Sequence, residues 1–182
     1  MAVNAILAQT IDTCMADSWS GNFFRICTSM ALRDDLAGNE SYFIVEIKSL
    51  KRILDAADGK TPILCFVDEV LRGTNTVERI AASSEILESM VRKDIHVFSA
   101  THDIELTHIL ENGYNNYHFE EEVRDNDVLF NYRLFKGRAV SRNAIKLLGV
   151  MGYDPKLIEK AQDMADHFLA TGEWKREVSS CW

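Results

Sequence analysis

One short apolar run constrains the fold of this chain more than any other feature of its sequence. Ile63–Val67 is continuously apolar, and two acids, Asp68 and Glu69, follow it directly. Runs of this kind are typical of strands that are buried on both faces of a parallel sheet. The run therefore predicts a buried strand that carries two carboxylates at its carboxyl end, which is the edge where α/β sheets bind ligands.

Strand-like and helix-like segments alternate on either side of this run. Phe23–Met30 and His96–Ala100 have the β-branched and aromatic character of strands. Val3–Met15, Ser41–Ala57 and Val77–Val91 repeat apolar residues at the spacing of one helix face. This alternation predicts a mostly parallel α/β sheet with helices on its faces.

The last third of the chain has a different pattern. Tyr114–Val123 and Val128–Phe135 are strand-like and predict an antiparallel hairpin. Ser141–Met151 favours a short helix, and Asp154–Pro155 supplies the N-cap and the first-turn proline of a final helix. Glu173–Trp182 shows no periodic pattern, and we expect it to be disordered.

Composition argues against several classes of protein. The formal net charge is -8, and phosphate contacts to DNA are made mostly by clustered Lys and Arg, so this segment by itself is not expected to bind DNA. The sequence has no run of about 18 apolar residues, so we expect no membrane contact from it. Its cysteines are scattered without CxxC pairs, which disfavours a zinc site and favours the reduced cytoplasm.

Polar residues at two neighbouring strand ends carry the candidate chemistry. In nucleotide hydrolysis, Asp68 would hold Mg²⁺, usually through water, and Glu69 would orient and deprotonate the attacking water. His102, just beyond the strand His96–Ala100, could reach a γ-phosphate and sense its charge. The residues alone leave open a solvated strand end and a structural or surface histidine. A metal phosphohydrolase site at His102–Asp103 is a further alternative, for which the other ligands are not evident.

Taken in order, five segments of the chain resemble motifs of the MutS family, which are ATPases of the ABC class. The resemblance extends from Ala2 to about Leu169. The segments follow the same order as in the family, and they are AVNAILAQT (Ala2–Thr10), RDDLAGNESYFIVEI (Arg33–Ile47), DEVLRGTNT (Asp68–Thr76), ATH (Ala100–His102) and LLGVMGYDPKLIEKA (Leu147–Ala161).

The resemblance implies a catalytic role for three positions at the two strand ends. Asp68 resembles the Walker B acid that holds Mg²⁺. Glu69 resembles the catalytic glutamate, and His102 resembles the switch histidine.

The resemblance also implies two loops that reach a partner subunit. The D-loop, which crosses the dimer interface, matches Arg72, Gly73, Thr74, Asn75 and Thr76. The signature loop, which contacts the γ-phosphate of the ATP on the partner subunit, matches Gly38, Asn39 and Ser41. Small residues, backbone N–H groups and a hydroxyl at a helix start can approach phosphate closely, which supports the second assignment. Ser41 alone would also be explained as an ordinary N-cap.

The chain departs from the family pattern at two places. Leu71 stands where mismatch-repair members usually have Gly, which indicates a divergent branch and puts the mismatch-repair role in doubt. The sequence contains no GxxxxGK(S/T) motif, and the resemblance implies such a phosphate-binding loop (P-loop) immediately before Val3. We therefore expect a chain truncated before the first P-loop strand, with residues 1–140 forming a partial ATPase domain and residues 141–172 a helical tail.

The resemblance further implies that the His102 strand lies between the Asp68 strand and the P-loop strand. Without the P-loop strand, Val97–Ala100 would have an open edge that favours strand pairing. Tyr114–Phe119 is the expected local substitute, and pairing with a second copy of the chain is the favoured outcome.

The implied fold is a P-loop NTPase-like α/β fold of the MutS type, with the antiparallel hairpin and helical tail at its C-terminal end. The implied activity is ATP binding and hydrolysis with Mg²⁺, coupled to DNA repair or recombination by nucleotide-dependent rearrangement of a homodimer on DNA. Upstream domains would bind the DNA, and this segment by itself is expected to be inactive. One alternative is an ABC-class ATPase of another type, although the LSGGQ motif of transporters is absent. The other is a non-catalytic dimerisation module that lacks the P-loop.

Overall fold

The computed structural model describes residues 1–30, 41–124, 127–139 and 143–174 of the chain. The chain divides into two compact units, Met1–Asn115 and Asn116–Trp182. The functional division that the resemblance implied at residue 140 stays a prediction. Among the described helices, none is long and apolar enough to cross a membrane.

The first unit is a parallel sheet with helices on its faces. Its strands are β1 (Arg25–Ser29), β2 (Ile63–Asp68) and β3 (Ile95–Ala100), which lie in the order β1-β2-β3 with both pairings parallel. Its helices are α1 (Ala2–Ile11), α2 (Tyr42–Asp55), α3 (Thr76–Arg92) and α4 (Ile104–Ile109). The predicted parallel α/β sheet is confirmed.

Strand β2 lies at the centre of the sheet because its side chains are apolar on both faces. Ile63–Val67 is buried throughout, and Asp68 at its end is exposed. One face of β2 joins the larger apolar cluster, together with side chains of α2 and α3 such as Leu50 and Leu87. The other face packs with Ala5 of α1. Burial of a large apolar side chain contributes roughly 1.5–3 kcal/mol, so this run stabilises both layers at once.

Helix α4 is the element that the sequence periodicity did not predict. It spans Ile104–Ile109, and Leu106 is its buried residue. A helix of this length makes fewer than two turns, so an apolar stripe cannot repeat along it. Helix α1 is shorter than predicted, because Asp12 takes a left-handed φ of 52° and ends it well before Met15.

Strand β3 lies at one side of the described sheet. Among the described strands its only neighbour is β2, which agrees with the open edge expected at Val97–Ala100. The predicted substitution by Tyr114–Phe119 is wrong. Tyr114 lies outside the strands, where its hydroxyl donates to the Leu87 carbonyl at 2.9 Å, and the strand that begins at Tyr117 pairs with the strand after it.

The second unit contains the predicted antiparallel hairpin. Strand β4 (Tyr117–Arg124) pairs with β5 (Asp127–Lys136), and helices α5 (Ala144–Val150) and α6 (Pro155–Thr171) follow. The predicted N-cap of the last helix is confirmed, since the Asp154 side chain accepts a hydrogen bond from the next-but-one N–H at 2.8 Å. The disorder expected at residues 173–182 falls largely outside the described residues, which end at 174.

Candidate active site

The candidate site lies at the carboxyl ends of β2 and β3. Asp68, the last residue of β2, is in register with Ala100, the last residue of β3. The Glu69 N–H donates to the Ala100 carbonyl at 3.0 Å, so contact between the strands continues one residue further. Glu69 has a left-handed φ of 51°. This conformation costs a non-glycine residue about 1–2 kcal/mol, so the contacts around Glu69 must hold it in place.

The Glu69 carboxylate contacts two basic side chains. Its Oε2 lies 2.9 Å from Nε of Arg72, and its Oε1 lies 3.2 Å from Nε2 of His102. The Glu69 side chain is 25% exposed, whereas that of His102 is 93% exposed. The structure thus brings His102 of the ATH segment next to Glu69 and Arg72 of the DEVLRGTNT segment. Because His102 faces solvent, a water molecule can take its place beside Glu69 without disturbing the core.

Asp68 is exposed at the end of β2, so its carboxylate is accessible to a hydrated Mg²⁺ ion. In proteins Mg²⁺ usually keeps several waters and binds one or two carboxylates together with substrate phosphates. Among the described residues, no group of three or more His, Cys, Asp or Glu side chains is placed to hold a metal ion. Asp68 can therefore serve a metal ion only in company with water, a bound nucleotide or residues outside the described ranges.

Asp103 forms an ion pair next to His102. Its carboxylate accepts two hydrogen bonds from Arg79 of α3, at 2.8 Å from Nε and 2.6 Å from Nη2. The Asp103 N–H also donates to Oγ1 of Thr101 at 3.0 Å. These contacts fasten the residue after His102 to α3. They also engage both oxygens of Asp103, and among the described residues no further ligands assemble with His102 and Asp103 into a metal site.

The turn of residues 72–76 packs on one helix and begins another. A Cβ added at Gly73 would lie 3.3 Å from the Cβ of Phe43 in α2, so the close packing there favours glycine. Asn75 is the N-cap of α3, and its Oδ1 accepts a hydrogen bond from the Glu78 N–H at 3.0 Å. These contacts give Gly73 and Asn75 a structural role, and the interface role of the whole turn stays a prediction.

Ser41 is the one described residue of the predicted signature loop, because Gly38 and Asn39 lie outside the described residues. Ser41 is exposed and occupies the N-cap position of α2, where its carbonyl accepts a hydrogen bond from the Val45 N–H at 3.2 Å. Its side chain makes no capping hydrogen bond to α2 within the described residues. Ser41 is therefore the N-cap of α2 by position and backbone, but its hydroxyl does not cap the helix.

Glu46 of α2 is a site residue that sequence reasoning missed. It is 2% exposed, one carboxylate oxygen accepts a hydrogen bond from the Leu71 N–H, and the other has no partner among the described residues. Burial raises the pKa of the Glu46 carboxyl, and the N–H groups of Leu71 and Arg72 oppose that shift. A signal was present in the sequence, since Glu46 interrupts the apolar face of α2 that contains Leu50 and Ile53.

Comparison with known proteins matches nearly the whole chain to one family. The sequence model of the family described as MutS domain V covers residues 1–169. DNA mismatch repair protein MutS 2 of Haloarcula marismortui is 32% identical over 143 residues, which is 77% of this chain and 15% of that protein. DNA mismatch repair protein MutS of Thermotoga maritima is 30% identical over 152 residues, which is 79% of this chain and 18% of that protein. The protein of the same description from Thermosipho melanesiensis is 28% identical over 178 residues, which is 96% of this chain and 22% of that protein.

These relatives are much longer than the region that matches. The chain spans 15% of the length of the Haloarcula protein and 22% of that of the Thermosipho protein. The range matched by the family includes Glu46, Glu69, Arg72 and His102. The similarity therefore covers all the described side chains of the candidate site.

Proposed function

The chain belongs to the MutS domain V family, and from this premise we propose that it provides the hydrolytic edge of an ATPase site in a MutS-like DNA repair protein. In this proposal ATP and Mg²⁺ bind at the carboxyl ends of β2 and β3. Hydrolysis is coupled to repair or recombination through rearrangement of a homodimer on DNA, which other domains bind. The relatives compared above are described as DNA mismatch repair proteins, which supports repair as the process.

The observation that carries the proposal is the position of Glu69 between Arg72 and His102. A general base has to lie within hydrogen-bond reach of the proton that it removes, directly or through one water. The Glu69 backbone is anchored on Ala100, while its carboxylate contacts a histidine that faces solvent. A water that takes the place of His102 would meet a fixed acceptor.

The described residues divide the work of hydrolysis among them. When bound, ATP would supply the phosphoryl group, and Mg²⁺ would neutralise the charge on its oxygens. Asp68 would hold the hydrated cation, and Glu69 would orient the attacking water and accept its proton. Arg72 binds one oxygen of Glu69 and so presents the other to the water. His102 leaves that second oxygen and donates to the γ-phosphate, where a donor stabilises the developing charge.

A second subunit completes the proposed site. Helix N-termini favour anions, and Ser41 begins α2 with a side chain that makes no capping hydrogen bond to that helix within the described residues. We assign Ser41, with Gly38 and Asn39, to the γ-phosphate of the ATP on the partner subunit. The turn of residues 72–76 would cross the same interface.

One substitution tests the role of Glu69. In the native protein that contains this chain together with a P-loop, Glu69→Gln keeps the size of the side chain but removes the base. We therefore expect ATP binding to persist and phosphate release to fall by roughly 10²–10⁴-fold. Glu159→Gln, at an exposed position of α6, is the matched control and is expected to change neither quantity. Equal turnover by the Glu69→Gln variant and the native protein would reassign Glu69 to a structural role.

Measurements of dimerisation, of ATP binding and of the response of the ATPase rate to DNA separate the two alternatives from the proposal. A native protein that dimerises but binds no ATP would favour the non-catalytic dimerisation module. An ATPase whose rate does not respond to DNA would favour an ABC-class ATPase of another type.

A further inference from the structure

Glu46 occupies a core position where an apolar side chain would pack more favourably. Its neighbours on the same face of α2, Leu50 and Ile53, are each 1% exposed, and Glu46 itself is 2% exposed. A buried carboxyl is unfavourable unless hydrogen bonds compensate for the lost water. Only one of its two oxygens has such a partner among the described residues. Core packing alone therefore does not explain a glutamate here.

The partner of Glu46 is the turn that follows β2. This turn contains two non-glycine residues with left-handed backbone, Glu69 with a φ of 51° and Leu71 with a φ of 57°. Residues in this conformation persist only where the surrounding structure holds them. Hydrogen bonds that hold the turn run from the Glu69 N–H to the Ala100 carbonyl at 3.0 Å, from Ser83 Oγ to the Val70 carbonyl at 3.1 Å, and from the Leu71 N–H to the Glu46 carboxylate.

The hydrogen bond to Glu46 differs from the other two in its origin. The other two come from β3 and α3, whereas Glu46 lies on α2, about one turn from the first residue of that helix, Tyr42. A second contact joins the same part of α2 to the same turn, since Phe43 leaves no more than 3.3 Å for a Cβ at Gly73. The beginning of α2 therefore contacts the turn of residues 69–73 at two points, Leu71 and Gly73.

We propose that Glu46 is a positioning residue that couples the start of α2 to the turn of residues 69–73, so that a displacement of α2 changes how Glu69 presents its carboxylate. This inference rests on the proposed function of Glu69 as general base. Helix α2 begins directly after Ser41, the position assigned above to the nucleotide of the partner subunit. Glu46 would thus connect occupancy of one site to the base of the other.

Two substitutions at Glu46 separate positioning from packing. Glu46→Gln keeps an oxygen that accepts the Leu71 N–H, whereas Glu46→Leu removes the acceptor and suits the apolar face. In the native protein we expect Glu46→Leu to lower kcat for ATP hydrolysis at least about tenfold without changing KM for ATP, because small displacements of catalytic groups cost up to roughly 10²-fold. Glu46→Gln is expected to restore most of the rate. Leu50→Ala weakens the packing of α2 within the apolar cluster but keeps the hydrogen bond from the Leu71 N–H to Glu46, so this control should lower stability and keep kcat wherever the protein stays folded.

Hydrogen exchange provides a readout that does not depend on ATPase activity. The Leu71 amide should be protected in the native protein and in Glu46→Gln, and it should exchange at least about tenfold faster in Glu46→Leu, because the hydrogen bond that closes it is lost. If the native protein has no ATPase activity, the proposed function fails, and unchanged exchange in Glu46→Leu would then overturn the contact separately. With an active native protein, an unchanged kcat in Glu46→Leu, or an equal loss of kcat in Leu50→Ala, would overturn the positioning role.

Discussion

The ion pair between Arg79 and Asp103 allows a sharp test of how the His102 segment is held. The Asp103 side chain makes no capping hydrogen bond to α4, so Asp103→Asn removes the ion pair without removing a helix cap. The pair is bidentate, with contacts of 2.8 and 2.6 Å. The hydrogen bond to Asp103 raises the pKa of the Arg79 guanidinium, which indicates that the pair favours the charged form.

The magnitude follows from burial and geometry. Exposed ion pairs contribute about 0.2–1 kcal/mol, whereas breaking a buried pair costs roughly 3–5 kcal/mol. The Arg79 and Asp103 side chains are 22% and 16% exposed, which places the pair between these limits. The bidentate geometry strengthens the pair, so its coupling energy should exceed that of an ordinary exposed pair. We therefore expect a coupling energy of about 1–2 kcal/mol between the two residues.

A double-mutant cycle measures this coupling energy. Urea unfolding would give the free energy of unfolding of the native chain, of Asp103→Asn, of Arg79→Gln and of the double variant. The Arg92–Glu88 pair on α3, with side chains 61% and 50% exposed, is the matched control and should show no measurable coupling. A coupling energy for Arg79 and Asp103 no larger than that of the control would refute the reasoning.

Two further predictions concern single titratable groups. Nε2 of His118 lies 3.0 Å from the Glu120 carboxylate, and Nδ1 lies 3.0 Å from the Gly137 carbonyl. These acceptors raise the pKa of His118 above 6.5. Glu120→Gln should therefore lower the His118 pKa measured by NMR titration. Because the pKa is raised in the folded state, the protonated ring stabilises the fold below the unfolded pKa, and this contribution is lost as pH rises through the folded pKa. A measured His118 pKa at or below 6.5 in the folded chain would contradict the prediction. Burial raises the pKa of the Cys65 thiol to about 12, so a thiol reagent at about pH 8 should label Cys14 and leave Cys65 unmodified in peptide mass mapping. Rapid labelling of Cys65 in the folded chain would contradict its burial.

The parallel sheet could be predicted because its strongest signal is local. Ile63–Val67 is apolar at every position, and the structure buries every one of these side chains. Short elements carry no such signal, which is why Ile104–Ile109 was missed as a helix. The start of β4 was also misplaced, since the strand begins at Tyr117 and Tyr114 instead donates its hydroxyl to the distant Leu87 carbonyl.

The candidate site could be predicted in part. Asp68, Glu69 and His102 lie close together because the carboxyl ends of neighbouring parallel strands meet at one edge of the sheet. The role of Glu46 could not be predicted, because its hydrogen bond joins residues 25 positions apart. The Leu71 backbone is also left-handed, which is rare for a residue with a bulky side chain.

Leu71 shows that a departure from a family pattern can preserve the local structure. The resemblance implies Gly at this position in mismatch-repair members, and the φ of 57° at Leu71 is a conformation that glycine adopts without steric cost. For leucine the conformation costs about 1–2 kcal/mol, but the side chain is 4% exposed and belongs to the main apolar cluster, where burial contributes roughly 1.5–3 kcal/mol. The gain in packing offsets the strain, and the Leu71 N–H still donates to Glu46. Leucine at this position therefore lacks the backbone freedom of glycine but gains core contacts, and the turn after Glu69 is kept. The geometry of the turn provides no reason to exclude a repair role.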